Sequence, residues 1–158
     1  KLKARKHSEF ELRSELTTRG IDENIIDSMI EKYKRLRYID DADFARSYIS
    51  DKMRFNYQSL NRIKNELTQK KIDSAIIEES IAEIENSRSA GKIAVCEITY
   101  DNNSCQNLDY DTCLKLIHKK QKKYQNYKTD RIIRDKLVKY LLYKGFDYDI
   151  IKKALESE

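Results

Sequence analysis

The sequence predicts an all-α protein, a tandem array of three three-helix repeats, elongated and modular. Three observations predict it. The chain of 158 residues holds no Pro, no Trp and only 3 Gly, whereas sandwiches, barrels and nucleotide-binding loops need many turn residues and close backbone approaches. Charged residues make up 37% of it and its mean hydropathy is -0.83, so a core must come from narrow apolar stripes on mostly polar helices. Third, one helical unit occurs three times, and self-similarity of this kind sets the architecture.

The first copy runs Glu11-Leu12-Arg13-Ser14-Glu15-Leu16-Thr17-Thr18-Arg19-Gly20-Ile21-Asp22, followed by Ile25, Ile26 and Ile30. The second runs from Arg62-Ile63 through Leu67 to Lys70-Lys71-Ile72-Asp73, followed by Ile76, Ile77 and Ile81. The third runs from Lys136-Leu137 through Leu141 to Lys144-Gly145-Phe146-Asp147, followed by Ile150, Ile151 and Leu155. In each, apolar residues four apart end at Gly or Lys, a buried Ile or Phe follows, and an Asp opens the next helix. Gly20 and Gly145 suit the left-handed residue that closes a helix, and Asp22, Asp73 and Asp147 suit the N-cap of its successor. Lys71 at the Gly place predicts a local cost without a change of fold. Before the second copy, Asp40 and Asp41 precede Phe44, Ala45, Tyr48 and Ile49, the pattern of a capped amphipathic helix. Asp111 to Ile117 is its counterpart before the third copy, which makes the unit three helices long.

The copies are unequally spaced, and the excess falls on residues 87–110. The expected organisation is therefore a first helical repeat over 1–36, incomplete at its N-terminal side, a second over 37–86, an insertion over 87–110 and a third over 111–158. Ile93, Val95 and Tyr100 leave room for a short strand or hairpin near 91–103, a pattern too short to decide.

With these elements in place, the chain closely resembles the RecX family of recombinase regulators. Arg5-Lys6-His7-Ser8-Glu9-Phe10-Glu11-Leu12 is similar to that family's opening R-x-R-S-E-x-E-L, with His7 for the second Arg. Tyr38-Ile39-Asp40-Asp41-Ala42-Asp43-Phe44-Ala45 resembles G-Y-L-D-D-x-x-F-A, with Arg37 in the Gly place. The stretch from Arg62 to Ile72 resembles R-I-x-x-E-L-x-x-K-G-I, with Ser59 where a Gly usually precedes it and Lys71 at the inner Gly. Leu141-Leu142-Tyr143-Lys144-Gly145-Phe146 matches the closing L-x-x-[RK]-G-F. The resemblance implies an array that binds along the RecA–single-stranded DNA filament, negatively modulating recombinase activity and the SOS response. It implies an interaction protein, not an enzyme. The alternative is a helical-repeat nucleic-acid binder acting on DNA or RNA without RecA.

Charge distribution speaks to a partner independently. From Thr112 to Lys144 the chain carries 11 Lys/Arg and 2 Asp, a local net charge of +9 against +5 for the whole. The candidates for partner or DNA contact are Lys115, Lys119, Lys120, Lys122, Lys123, Lys128, Arg131, Arg134 and Lys139, with Tyr124, Tyr127, Tyr140 and Tyr143 interleaved. Such a stripe neutralises phosphates or steers toward an acidic surface; a solvated helical face with Tyr packed beneath is the plainer alternative. Residues 73–86 carry five carboxylates and no Lys or Arg, so the second repeat ends in an acidic helix.

Catalytic and metal-binding patterns are weak. Gly20, Gly91 and Gly145 are isolated, so no phosphate loop is expected. Cys96, Cys105, Cys113 and His118 lack the C-x-x-C spacing of zinc sites. Asp40 and Asp41 read as an N-cap and a first-turn acid, not as a nuclease pair. No cofactor and no metal are expected. No run of about 20 apolar residues marks a membrane span, and three cysteines, an odd number, suggest reduced thiols. A cytoplasmic monomer is the expected form.

Overall fold

The computed structural model describes residues 7–89, 107–124 and 126–157, with Arg88 and Ser89 described by backbone alone. The described residues form helices α1 (Glu9–Thr18), α2 (Glu23–Arg35), α3 (Asp41–Asn56), α4 (Leu60–Gln69), α5 (Ser74–Ser89), α6 (Leu108–Lys120), α7 (Arg131–Tyr143) and α8 (Tyr148–Glu156). No strand occurs among them. The hairpin considered near 91–103 lies outside the described residues.

Helix ends follow the repeat closely. Gly20, Lys71 and Gly145 have φ of 74°, 59° and 94°. At each, two backbone bonds close the helix: Ile21 N to Leu16 O (3.3 Å) with Gly20 N to Thr17 O (2.9 Å), Ile72 N to Leu67 O (3.2 Å) with Lys71 N to Thr68 O (2.9 Å), and Phe146 N to Leu141 O (3.3 Å) with Gly145 N to Leu142 O (2.8 Å). These are Schellman closures, which pair carbonyls that the helix itself leaves over. Arg37, in the family's first Gly place, does the same at the end of α2, with φ 55° and Tyr38 N bonded to Tyr33 O at 2.9 Å. Lysine and arginine thus adopt the glycine conformation at a steric cost of roughly 1 to 2 kcal/mol each.

Helix starts agree in position and differ in one detail. Asp22 accepts from Asn24 N (2.9 Å), Asp73 from Ala75 N (2.7 Å) and Asp40 from Asp43 N (2.9 Å). Asp147 stands at the N-cap of α8 but makes no side-chain cap bond; its carboxylate accepts from Asn61 Nδ2 at 3.3 Å instead. Asp41 accepts from the backbone N–H of Glu9 at 3.0 Å, so it ties α3 to the start of α1. Asn107 caps α6 through Asp109 N at 2.9 Å. The helix expected from Asp111 therefore begins at Leu108, because the cap lies in the segment assigned to the insertion.

The described chain divides into two compact units. One holds the residues up to Tyr48 with Asn65–Asn86, the other Ile49–Lys64 with the residues from Ser87 onward. In the first, Ile26, Ile30 and Ile39 form a core packed by Leu12, Leu16, Ile21 and Tyr33. Several of its charged residues are paired: Glu9 with Lys34, Glu11 with Lys70, and Arg46 with Glu83 at 3.1 Å. In the second, Cys113, Leu116, Ile117, Tyr127, Leu137, Leu141, Phe146, Ile151, Ala154 and Leu155 form the core. Ile63, Leu67 and Ile72 of the second copy and Leu137, Leu141 and Phe146 of the third are buried, whereas Leu12, Leu16 and Ile21 of the first are half-buried.

Leu67 and Leu141 are both fully buried at the same repeat position. Leu67→Ala and Leu141→Ala should each cost about 2 to 5 kcal/mol in urea denaturation. A cost below about 0.5 kcal/mol, the range of surface substitutions, would contradict the shared packing role.

Candidate partner-binding site

The basic stripe resolves into three groups on the second unit. Lys119 and Lys120 end α6, where cations are favoured by the negative end of the helix dipole. Lys122, Lys123 and Lys128 lie in the connection from α6 to α7, and Arg131, Arg134 and Lys139 lie along α7, all of them exposed. Lys115 is half-buried, one turn before Lys119. Asp130 caps α7 by accepting from Ile132 N at 2.8 Å, which fixes where that helix starts.

The first group is gathered with residues from elsewhere in the chain. Lys119 Nζ stands 4.5 Å from the ring centre of Tyr57, just past α3. Lys120 Nζ and Lys144 Nζ lie 5.5 Å and 5.9 Å from the ring of Tyr140. Lys144 Nζ also donates to the carbonyl of Asn56 at 2.8 Å. Arg62, near the start of α4, lays its guanidinium 5.0 Å from the Tyr143 ring and donates to the Tyr143 carbonyl. Burial, with Arg62, Lys120 and Lys119 as positive neighbours, pushes the Lys144 ammonium below its ordinary value, against an opposing influence of Tyr143. Cations over ring faces are each worth about 0.5 to 1 kcal/mol when exposed.

Three further bonds hold the segment from Asn56 to Arg62 in place. Ser59 Oγ donates to the Gly145 carbonyl at 2.6 Å, Ser59 N donates to Lys144 O at 3.2 Å, and Leu60 N donates to Asp109 Oδ1 at 2.7 Å. A Cβ on Gly145 would lie 2.5 Å from Ser59 Oγ and 2.8 Å from Arg62 Cβ, whereas one on Gly20 would meet nothing within 4 Å. Two glycines at one repeat position therefore have different reasons to be there. Gly20 supplies a backbone conformation, and Gly145 also supplies space.

The second group borders a cleft of about 450 Å³ lined by Gln121, Lys122, Asn126, Tyr127, Lys128 and Thr129. Lys123 and Lys128 sit 5.8 Å and 6.0 Å from the rings of Tyr124 and Tyr127. The tyrosines are thus partly beneath the lysines, as the plainer reading of the stripe expects, but Tyr143 is 69% exposed and offers a ring face. Tyr57 and Arg62 lie outside the stripe, and Lys144 ends it without standing among the candidates. Arg62 opens the R-I-x-x-E-L motif, a signal legible in the chain, while nothing in the sequence marks Tyr57.

Burial, with Asp109 nearby, pushes the Cys113 thiol up to about 12, which leaves it inert as a nucleophile. Among the described residues no group of three His, Cys, Asp or Glu side chains comes together as a metal site would require. No helix among them is long and apolar enough to cross a membrane.

Two family models match the chain: RecX, second three-helix domain, over residues 40–81, and RecX, third three-helix domain, over residues 107–155. The chain belongs to the RecX family. The regulatory protein RecX of Clostridium perfringens is 31% identical over 156 residues, covering 96% of this chain and 63% of that protein. RecX of Finegoldia magna is 29% identical over 150 residues, covering 92% and 62%. The chain thus spans less than two thirds of the length of these curated relatives. The crystal structure of RecX from Lactobacillus salivarius superposes with a TM-score of 0.69 over 99% of this chain and 88% of that one, at 24% identity. The two curated relatives tie the chain to a family of regulatory proteins, and the crystal structure shares its fold. The gathered cations use parts of both matched domains, since Tyr57 and Arg62 lie in the second and Lys119, Lys120 and Lys144 in the third.

Gly145→Ala should cost about 2 to 4 kcal/mol, the left-handed strain plus overpacking, and Gly20→Ala only about 1 to 2 kcal/mol; equal costs in thermal melts would show the close approach to be relaxed. Asp109 supplies a pH signature. Burial raises its carboxyl to about 6 from 3.8, with Asp147 adding to the rise and the Leu60 N–H and Lys64 opposing it. A folded pKa above the unfolded one means the native state takes up the proton first, so its contribution to stability is least above pH 6 and grows as pH falls toward 4. Relative to Asp109→Asn, the wild-type chain should gain about 2 kcal/mol between pH 7 and about pH 4.5. A difference constant with pH would show that this carboxyl titrates normally.

Proposed function

We propose that this chain binds the RecA–single-stranded DNA filament and restrains it, dampening strand exchange and the SOS response. The observation that carries the reading is the gathering of Arg62, Lys119, Lys120 and Lys144 with three tyrosines on one unit of a RecX-family chain. A filament presents phosphates and protein together, and a surface of cations and aromatic rings suits both. In this reading the three helical repeats, over 1–36, 37–86 and 111–158, act as modules that spread contacts along the filament. The protein works as a cytoplasmic monomer by binding, without chemistry of its own. Its acidic helix α5 exposes Glu78, Glu79, Glu83 and Glu85, a surface suited to protein contact and unsuited to phosphates.

The test is RecA-dependent ATP hydrolysis on single-stranded DNA, which the chain should inhibit at substoichiometric amounts. Lys122→Glu with Lys123→Glu should weaken that inhibition and flatten its salt dependence while leaving helicity unchanged, because both side chains are exposed. Tight binding to naked DNA with a preformed filament left untouched would favour a nucleic-acid binder that acts without RecA.

A further inference from the structure

The four gathered cations have an arrangement that a solvated surface does not require. They come from three separate elements: Arg62 from α4, Lys119 and Lys120 from the end of α6, and Lys144 from the C-cap of α7. Helix dipoles explain cations at the ends of α6 and α7 one at a time. They do not explain bringing those ends together with Arg62, since like charges repel: Lys120 and Lys144 share the ring of Tyr140, and the Lys144 ammonium is pushed down first by burial and then by Arg62, Lys120 and Lys119. Arg62, Lys120 and Lys119 lower the Lys144 ammonium while Tyr143 opposes them, and the ammonium donates to a neutral carbonyl, that of Asn56. Four cations thus stand together over the rings of Tyr57, Tyr140 and Tyr143, and an anion among them would relieve their repulsion. Beside it, Tyr143 presents an exposed ring whose neighbour is the Arg62 guanidinium.

We propose that Arg62, Lys119, Lys120 and Lys144 form a backbone-phosphate subsite for single-stranded nucleic acid, with Tyr143 as the platform on which an unpaired base stacks. The inference rests on the filament reading and deepens it, since it names the nucleic-acid strand as what this face meets. Phosphate neutralisation by several cations beside an exposed aromatic ring is the arrangement that binds single strands without sequence preference. A duplex keeps its bases paired and gives Tyr143 nothing to stack on, so the ring should discriminate between the two.

The experiment measures fluorescence anisotropy of a labelled oligothymidylate with the full chain across a salt series, beside a duplex of equal length. Lys119→Gln, Lys120→Gln and Lys144→Gln combined should lower the magnitude of the log–log salt slope by about 2, at roughly 0.7 for each phosphate no longer neutralised. Tyr143→Ala should weaken single-strand binding about tenfold with the slope kept, and leave duplex binding unchanged. If the triple variant loses helicity, Lys119→Gln with Lys120→Gln, which spares the bond from Lys144 to Asn56, should still lower the slope by about 1.4. An unchanged slope in a folded variant, or no binding of the wild type to oligothymidylate at low salt, overturns the phosphate subsite. Equal weakening of strand and duplex by Tyr143→Ala overturns the stacking platform. Co-sedimentation of the wild-type chain with a preformed RecA filament is run in parallel: its failure alongside a lowered slope refutes the filament reading and leaves the subsite standing.

Discussion

The close approach of Gly145 to Ser59 and Arg62 is the contact on which the candidate site depends. A missing Cβ lets the start of α4 lie against the end of α7, and the Ser59 hydroxyl then reaches the Gly145 carbonyl at 2.6 Å. With that segment fixed, Arg62 reaches Tyr143 and Lys144 reaches the Asn56 carbonyl. Asp109 holds the same segment from α6 through the Leu60 N–H. A buried carboxylate is a costly anchor, and its bond to a helix-initial amide offsets part of that cost. The candidate surface is thus built from segments distant in sequence and joined by short-range polar contacts.

Much of this is legible in the chain, for physical reasons that are local. The left-handed helix ends at Gly20 and Gly145 follow from glycine's freedom, and Lys71 at the equivalent place adopts the same conformation, a cost and not a change of fold. The buried Ile and Leu positions follow from helical period alone. Other features are not legible because they depend on tertiary partners. Asp147 occupies a cap position, yet Asn61 takes its carboxylate. Asp41 has the pattern of a first-turn acid, but it reaches back to Glu9 N from 32 residues away. Asn107 begins α6 inside the segment that repeat spacing assigns to an insertion, because a single capping side chain outweighs the alignment of repeats.

The candidate site is legible in kind and not in composition. The stripe of positive charge points to the unit that carries the cluster, and Lys119 and Lys120 belong to it. Linear charge density weighs every lysine alike, however, and so places Arg131, Arg134 and Lys139 beside them, which the fold leaves as exposed residues along α7. Tyr57 and Arg62 come from a different stretch of chain and are recruited by folding. The charged surface therefore exists only when the helices are assembled.

If the assembled cations meet the filament, they must be covered when the chain is bound. Lysine acetylation footprinting of the full chain, free and with a preformed RecA–single-stranded DNA filament, tests this at single-residue resolution. Lys119, Lys120 and Lys144 should become protected in the complex, while the exposed Lys32 and Lys152 react as before. Equal reactivity of Lys119, Lys120 and Lys144 in the free and filament-bound states, with the chain demonstrably bound, would contradict it.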